Sequence, residues 1–270
     1  MGSIRFAKGH GTGNDFVILP EVEGDLSEAQ VRALCDRRFG LGADGVLIIV
    51  ERGDGYFMDY RNADGSIAEM CGNGIRVFAR YLVDHDLAPA GAITIQTRGG
   101  SYEVVCPEDG LIEVAMGTAT QPAARAMSVV SVGDSTWSAT PVLVPNPHAV
   151  VFVDDLDEAG DLVEPPEVAP GMFPHGVNVE FVVDRGVDHI AMRVHERGVG
   201  ETLSCGTGAC AAAWAARRRT DDPTPGTARV DVPGGTVWVR EDAEGALTLI
   251  GPASIVAEGS IDPGWWAEIE

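Results

Sequence analysis

Apolar runs in this chain are short and closely spaced. Residues 46–50, Val46-Leu47-Ile48-Ile49-Val50, form a continuous apolar stretch suited to a buried strand. Residues 177–183 alternate at first and then turn apolar, and read the same way. Residues 56–60 and 190–194 predict the strands that follow. Two segments carry a helical period instead. In residues 75–82, Ile75, Phe78, Ala79 and Leu82 share one face, and residues 209–217 are rich in alanines that permit close burial. Strand-like runs follow each helix, at 93–97 and 102–105 and then at 228–232 and 236–240. Many strands around one principal helix, without regular βαβ alternation, predict an α+β fold: sheet, mostly antiparallel, wrapped on a central helix. A boundary is expected near Met116-Gly117-Thr118, after a strand at 111–115, giving units 1–117 and 118–259. The acidic, proline-bearing residues 154–176 read as a surface excursion of the second unit. The tail, residues 260–270, carries Trp265 and Trp266 and is expected to pack back on the first unit.

The two units repeat one pattern. Cys71-Gly72-Asn73-Gly74 returns as Cys205-Gly206-Thr207-Gly208, 134 residues later. Thr97-Arg98-Gly99-Gly100-Ser101 pairs with Val232-Pro233-Gly234-Gly235-Thr236 at an offset of 135, and Asn14 with Asn146 at 132. Asn62 and Glu196 each precede their cysteine by nine residues. One matched tetrapeptide arises by chance; an ordered series at nearly one offset implies duplication.

Composition narrows the classes. A length of 270 residues suits two units of this size, and 45% hydrophobic with 22% charged residues is ordinary for a globular protein. No apolar run reaches the roughly 18 residues of a membrane helix. The stretch from Met1 to Phe6 has no signal-peptide core, so a cytoplasmic location is expected. The net charge of −22 argues against nucleic acid and anionic membranes as partners. Lys8 is the only lysine; this reads as codon composition more readily than as salt adaptation. Five widely spread cysteines, an odd number without Cys-x-x-Cys spacing, predict free thiols rather than a disulfide framework or a zinc site.

The chemistry then rests on which thiols react. Cys71 and Cys205 each open a helix, where unpaired N–H groups and the helix dipole favour an anion. Such a position activates a thiol, and the neighbouring N–H groups can hold a carboxylate. A thiolate and a thiol working together suit inversion of an amino-acid α-carbon: one removes a proton, the other returns one to the opposite face. Either motif alone reads at least as well as a buried small residue before a turn; two at equivalent places favour the reactive reading. Cys35, Cys106 and Cys210 lack this context and read as structural. Asn14 and Asn146 also fit turn positions, His148 a core histidine, and Glu196-Arg197 a surface ion pair.

At these residues the chain resembles the diaminopimelate epimerases, which interconvert LL- and meso-diaminopimelate. The likeness runs through Lys8-Gly9-His10-Gly11-Thr12-Gly13-Asn14-Asp15-Phe16, Arg61-Asn62-Ala63-Asp64-Gly65-Ser66, Ala68-Glu69-Met70-Cys71-Gly72-Asn73-Gly74, Pro145-Asn146-Pro147-His148, Gly176-Val177-Asn178, Glu196-Arg197-Gly198-Val199-Gly200-Glu201-Thr202 and Cys205-Gly206-Thr207-Gly208. It implies two pseudo-symmetric domains with the active site in the cleft between them, no pyridoxal phosphate, no metal and a homodimer. It implies a role in making lysine and peptidoglycan precursors. Cys71 and Cys205 would be the acid–base pair, with His148 and Glu196 beside them. Asn14, Asn62, Asn146, Asn178, Glu196 and Arg197 would contact the substrate, chiefly its distal amino-acid end. The backbone at Gly72, Asn73, Gly206 and Thr207 would grip the reacting carboxylate. Amides that both donate and accept, and a two-pronged guanidinium, suit that distal group. Gly45 stands where some members carry glutamine, so that contact is not transferred.

Other readings remain. Proline racemases and hydroxyproline epimerases share the two cysteines but usually have His in place of Asn73. Their substrate also leaves the asparagine–arginine set idle. A non-catalytic amino-acid-binding protein needs no thiols. Nucleotide binding is disfavoured because residues 9–13 lack Gly-x-Gly-x-x-Gly spacing.

Overall fold

The duplication read from the sequence reappears as a repeat of strand order. The computed structural model describes residues 4–22, 25–53, 55–123, 126–219 and 225–269. Met1–Ser3, where part of the N-terminal reading fell, and Glu270 of the tail lie outside the described residues. The chain divides into two units, Met1–Val114 with Gly251–Glu270, and Ala115–Ile250.

The first unit opens with strands β1 (Ile4–Gly11) and β2 (Asn14–Leu19) and helix α1 (Glu28–Cys35). Strands β3 (Gly45–Arg52), β4 (Gly55–Asn62) and β5 (Ile67–Ala68) lead into helix α2 (Gly72–Asp84). After it come β6 (Gly91–Thr97), β7 (Gly100–Cys106) and β8 (Ile112–Thr118), which runs into the boundary. The second unit holds β9 (Ser128–Val132), β10 (Ser135–Val144), β11 (Asn146–Phe152), β12 (Glu167–Val168), β13 (Asn178–Gly186), β14 (His189–Glu196) and β15 (Gly200–Thr202). Helix α3 (Gly206–Arg217) and strands β16 (Gly226–Val232), β17 (Gly235–Glu241) and β18 (Ala246–Gly251) follow. The chain then returns to the first unit with β19 (Ser254–Ile261) and the short helix α4 (Pro263–Ala267).

Pairing makes the repeat explicit. In the first unit β1–β2 is antiparallel, β2–β3 parallel, β3–β4 antiparallel, β4–β6 parallel, and β6–β7–β8 antiparallel. In the second, β10–β11, β11–β13, β13–β14, β14–β16 and β16–β17–β18 follow the same sequence of directions. An extra antiparallel strand sits beside the first of each set, β19 on β1 and β9 on β10. Both sheets are therefore mostly antiparallel, with two parallel pairings each.

Each sheet curls around one helix. In α2 every residue from Gly72 to Leu82 is buried, and the helix packs against β1, β2, β4, β6, β7 and β19. Helix α3 meets β10, β11, β13, β14, β16 and β17 in the same way. Both helices begin three residues before the apolar period does, because their first turn is glycine-rich and carries no periodic signal. Outer sheet faces are covered too. In the first unit Val17, Leu19, Val46 and Ile48 pack with Val31 and Leu34 of α1 and with Trp266 of α4. In the second, residues read as a surface excursion do the covering. Ala159 and Leu162 are buried in one cluster with Ala149, Val151 and Phe181 of the sheet, and Leu156, Val168 and Phe173 pack alongside. The returning segment begins at Gly251, not residue 260. Strand β19 is exposed along most of its length, so it carries no alternation that marks it in the sequence.

Candidate active site

Cysteine caps both central helices. Cys71 has extended backbone (φ −139°, ψ 122°) and its Sγ accepts from the Gly74 N–H at 3.4 Å. Cys205 repeats this (φ −122°, ψ 117°), accepting from Gly208 at 3.4 Å. Sulfur thus occupies the position where a hydroxyl or carboxylate usually satisfies the first-turn donors. The glycine three residues on has little room for a side chain. A Cβ at Gly74 would lie 3.3 Å from Leu47 and 3.4 Å from Phe16, and one at Gly208 only 2.8 Å from Glu180 Oε1.

Around Cys71 the polar groups form a chain. Its thiol lies 3.6 Å from Asn14 Oδ1, which also accepts from Asn73 Nδ2 at 3.2 Å. Asn14 Nδ2 donates to Asp44 Oδ2 at 2.8 Å, so both ends of that amide are fixed. Asn73 is held in turn by the wholly buried Arg76, whose guanidinium donates to Asn73 Oδ1 and to the Gly72 carbonyl, both at 3.0 Å. Asp44 is braced by Arg37, which also grips Asp15 with Lys8 on its other side. Burial raises the Asp15 carboxyl, but the bonds from Arg37 and Lys8 outweigh it and bring it down to about 2. The Asn62 amide is turned to a local partner, donating to Ser66 Oγ at 3.0 Å.

Cys205 has a different setting. Its Sγ lies 3.5 Å from Thr207 Oγ1. Burial pushes the thiol well above the ordinary thiol range; the carboxylates of Glu196 and Glu180 push the same way, and Thr207 and the Gly208 N–H pull partly back. Glu196 accepts from Thr202 Oγ1 at 2.5 Å and is also bonded to Cys205. Burial raises the Glu196 carboxyl; those two bonds lower it, while the charge of Glu180 raises it further and His148 opposes that. Beneath them His148 and Glu180 are wholly buried, with Nδ1 and Oε1 2.6 Å apart. His148 Nε2 lies 3.0 Å from Asn146 Oδ1. Asn178 donates to the Pro147 carbonyl at 3.2 Å and accepts from the Arg197 N–H at 2.9 Å. The exposed Arg197 side chain donates to the His175 carbonyl at 3.0 Å rather than to Glu196.

The remaining thiols cap no central helix. Cys35, Cys106 and Cys210 are buried, and burial pushes the Cys35 thiol up to about 12.

A sequence model of the family "Diaminopimelate epimerase" matches residues 6–122 and 141–256. The chain belongs to the diaminopimelate epimerase family. Diaminopimelate epimerase of Streptomyces coelicolor is 55% identical over 97% of this chain and 96% of that protein. The enzyme of the same name from Rhodococcus jostii is 44% identical over 97% and 99%. Among solved structures, a Bacillus anthracis protein of the PhzF phenazine-biosynthesis family superposes with a TM-score of 0.67 at 17% identity, covering 97% of this chain and 100% of that one. A hydroxyproline epimerase from Agrobacterium vitis gives 0.67 at 15% identity, covering 99% and 96%. At that identity these two share the fold alone.

Within the family frame, the first unit brings together Asn14, Cys71, Gly72 and Asn73. The second gathers Asn146, His148, Asn178, Glu196, Arg197, Cys205, Gly206 and Thr207. Sequence reasoning missed Asp44, Arg76 and Glu180, which hold these residues. The signal was present for two of them: Arg76 is a charge within the buried stretch of α2, and Glu180 interrupts the apolar run Val179–Val183.

Proposed function

We propose that this protein is a cofactor-independent diaminopimelate epimerase, interconverting the LL and meso forms, with Cys71 and Cys205 as its two proton carriers. The observation that carries the reading is the paired capping: two equivalent helices of a duplicated fold, each begun by a cysteine sulfur. Inversion needs a base on one face of the α-carbon and an acid on the other. Burial and two nearby carboxylates hold Cys205 as a thiol, so it enters as the acid when Cys71 acts as thiolate base. First-turn N–H groups at Gly72, Asn73, Gly206 and Thr207 grip the reacting carboxylate. They stabilise the charge that develops as the α-proton leaves. His148 and Glu196 tune the proton transfers. The asparagines and Arg197 read the distal amino-acid group, whose donors and acceptors match theirs. The same reading makes the protein a cytoplasmic homodimer that works without pyridoxal phosphate, in lysine and peptidoglycan precursor synthesis. No helix among the described residues is long and apolar enough to cross a membrane.

The test is proton exchange in deuterated water without added cofactor. LL- and meso-diaminopimelate are expected to incorporate deuterium at the α-carbon, and proline is not. Exchange with proline alone would move the protein to the racemases, and exchange with none would make it a binding protein.

A further inference from the structure

The buried pair beneath Cys205 is absent from the equivalent place beneath Cys71. In the parallel pair β2–β3, Phe16 stands opposite Gly45 and Ile18 opposite Leu47. In the matching pair β11–β13, His148 stands opposite Asn178 and Val150 opposite Glu180. His148 and Glu180 therefore occupy the positions that Phe16 and Leu47 hold in the first unit. One framework accepts apolar side chains there in one copy and an imidazole with a carboxylate in the other. Stability does not account for the substitution. Taking a carboxylate out of water costs several kcal/mol, and well-packed apolar replacements of buried ion pairs are often neutral or stabilising. Glu180 is also incompletely matched. Its Oε1 meets His148 Nδ1 at 2.6 Å, while its buried Oε2 has no hydrogen-bond partner among the described residues.

We infer that Glu180 is a positioning residue for the reaction. Its carboxylate fixes a proton on Nδ1 of His148, so that Nε2 is the ring nitrogen that gives and takes protons: while protonated it donates to Asn146 Oδ1 at 3.0 Å, and once neutral it accepts from the same amide turned to present its NH2. The partner of one imidazole nitrogen decides which tautomer the ring adopts. With Glu180 removed, the oxygen left at hydrogen-bond distance from the ring is that of Asn146, and the proton of the neutral ring moves to Nε2. The inference rests on the proposed function, in which His148 tunes proton transfer at the reacting thiols.

Nitrogen-15 NMR of His148 and steady-state kinetics with LL-diaminopimelate test it together. The wild-type neutral ring is expected as the Nδ1–H tautomer. Glu180→Leu, which copies the residue of the first unit, is expected to show Nε2–H. Its kcat falls by about tenfold or more, with KM within roughly twofold, as befits a group acting on proton transfer rather than on binding. Glu180→Gln keeps an acceptor for Nδ1 and is expected to retain both the tautomer and kcat within about threefold. An Nε2–H tautomer in the wild-type protein overturns the inference whether or not the leucine variant folds. So does wild-type kcat in folded Glu180→Leu, or equal losses in the Leu and Gln variants. If wild-type protein fails to epimerise diaminopimelate, the proposed function falls, and the tautomers still judge the role of Glu180.

Discussion

The two units share a backbone and differ in what lies under their cysteines. Beneath Cys71 are Phe16 and Leu47, with the buried guanidinium of Arg76 bonded into the first turn of α2. Beneath Cys205 are His148 and Glu180, with Glu196 beside them, and the position equivalent to Arg76 is Cys210. Two thiols in the same capping geometry therefore have different surroundings: an arginine is bonded into the helix turn that Cys71 caps, and carboxylates press on Cys205. Duplication supplied the helix starts and their donors. Side-chain replacement on an unchanged strand register then made the sites unequal. An enzyme that must take a proton with one group and give it with another has a use for that inequality.

The most severe test of the comparison removes each thiol. Cys71→Ala and Cys205→Ala are each expected to lower epimerisation of LL-diaminopimelate by about 10³-fold or more, the scale of losing an acid–base group. Circular dichroism should be unchanged. Full turnover by either variant would sink the two-base reading, and loss in one variant only would mean the second cysteine is a cap and nothing more.

Glycine at the third helical position probes the packing under each cap. At Gly74 an alanine Cβ meets Leu47 at 3.3 Å, which a flexible apolar side chain can relieve. Alanine also favours helix by about 1 kcal/mol over glycine, so Gly74→Ala is expected to fall within roughly 1 kcal/mol of wild type. At Gly208 the Cβ meets Glu180 Oε1 at 2.8 Å, and that carboxylate is buried and tied to His148. Gly208→Ala is expected to destabilise by about 1–3 kcal/mol, from strain and a disturbed buried bond. Urea unfolding of both variants decides it; equal costs would mean the two floors respond alike.

Much of this frame was legible in the residues. The near-constant offset between Cys71 and Cys205, Gly100 and Gly235, and Asn14 and Asn146 located equivalent strands and helices, because duplication preserves register even where side chains diverge. The helix starts were legible because cysteine, glycine and an apolar period fall in order. Three things were not. Strand β19 lies exposed on β1 and gains its place through backbone bonds, which no hydrophobic pattern records. Residues 154–176 look polar in sequence, yet a few apolar ones, Ala159 and Leu162 chief among them, close the outer face of the sheet. Glu180 and Arg76 were visible as charges in apolar segments, but what they hold was not: His148 is 32 residues from Glu180 in the chain, and Arg76 turns back onto Gly72 and Asn73 at the start of its own helix. Asn62 shows the reverse, a matched motif residue whose side chain is occupied locally by Ser66.

Acid separates the units through their carboxylates. Asp15 titrates at about 2 in the folded protein against an ordinary 3.8, because Arg37 and Lys8 outweigh the effect of burial. A depressed carboxyl stabilises the fold above the unfolded value, and that contribution is lost as pH falls through the folded one. The difference corresponds to roughly 2 kcal/mol. Asp15→Asn is therefore expected to be less stable than wild type at pH 7 by about that much, with the gap closing between about pH 5 and 2. The raised Glu196 of the second unit works with the opposite sign, so Glu196→Gln should not lose stability on the neutral side of that window. A gap for Asp15→Asn that stays constant with pH would show that packing, not charge, is what asparagine disturbs.

The finest test reads the charge beside one sulfur. Burial raises the Cys205 thiol, and Glu196 is the first of the two carboxylates that add to it. Replacing that carboxylate by a neutral amide removes a like charge, which lowers the thiol's titration point and enlarges the thiolate fraction at a fixed pH below it. Alkylation by iodoacetamide follows the thiolate. At pH 8, Glu196→Gln is expected to speed alkylation of Cys205 severalfold, the gain in thiolate when a like charge beside it is removed. Cys71, whose surroundings in the first unit are untouched, serves as the internal standard, with peptide mass spectrometry reading the two sites separately. An unchanged rate at Cys205 would leave its raised titration point to burial and Glu180, and leave Glu196 a role in proton exchange only. A parallel rise at both cysteines would mean that the variant loosens the protein as a whole, and the electrostatic contrast between the two thiols would lose its support.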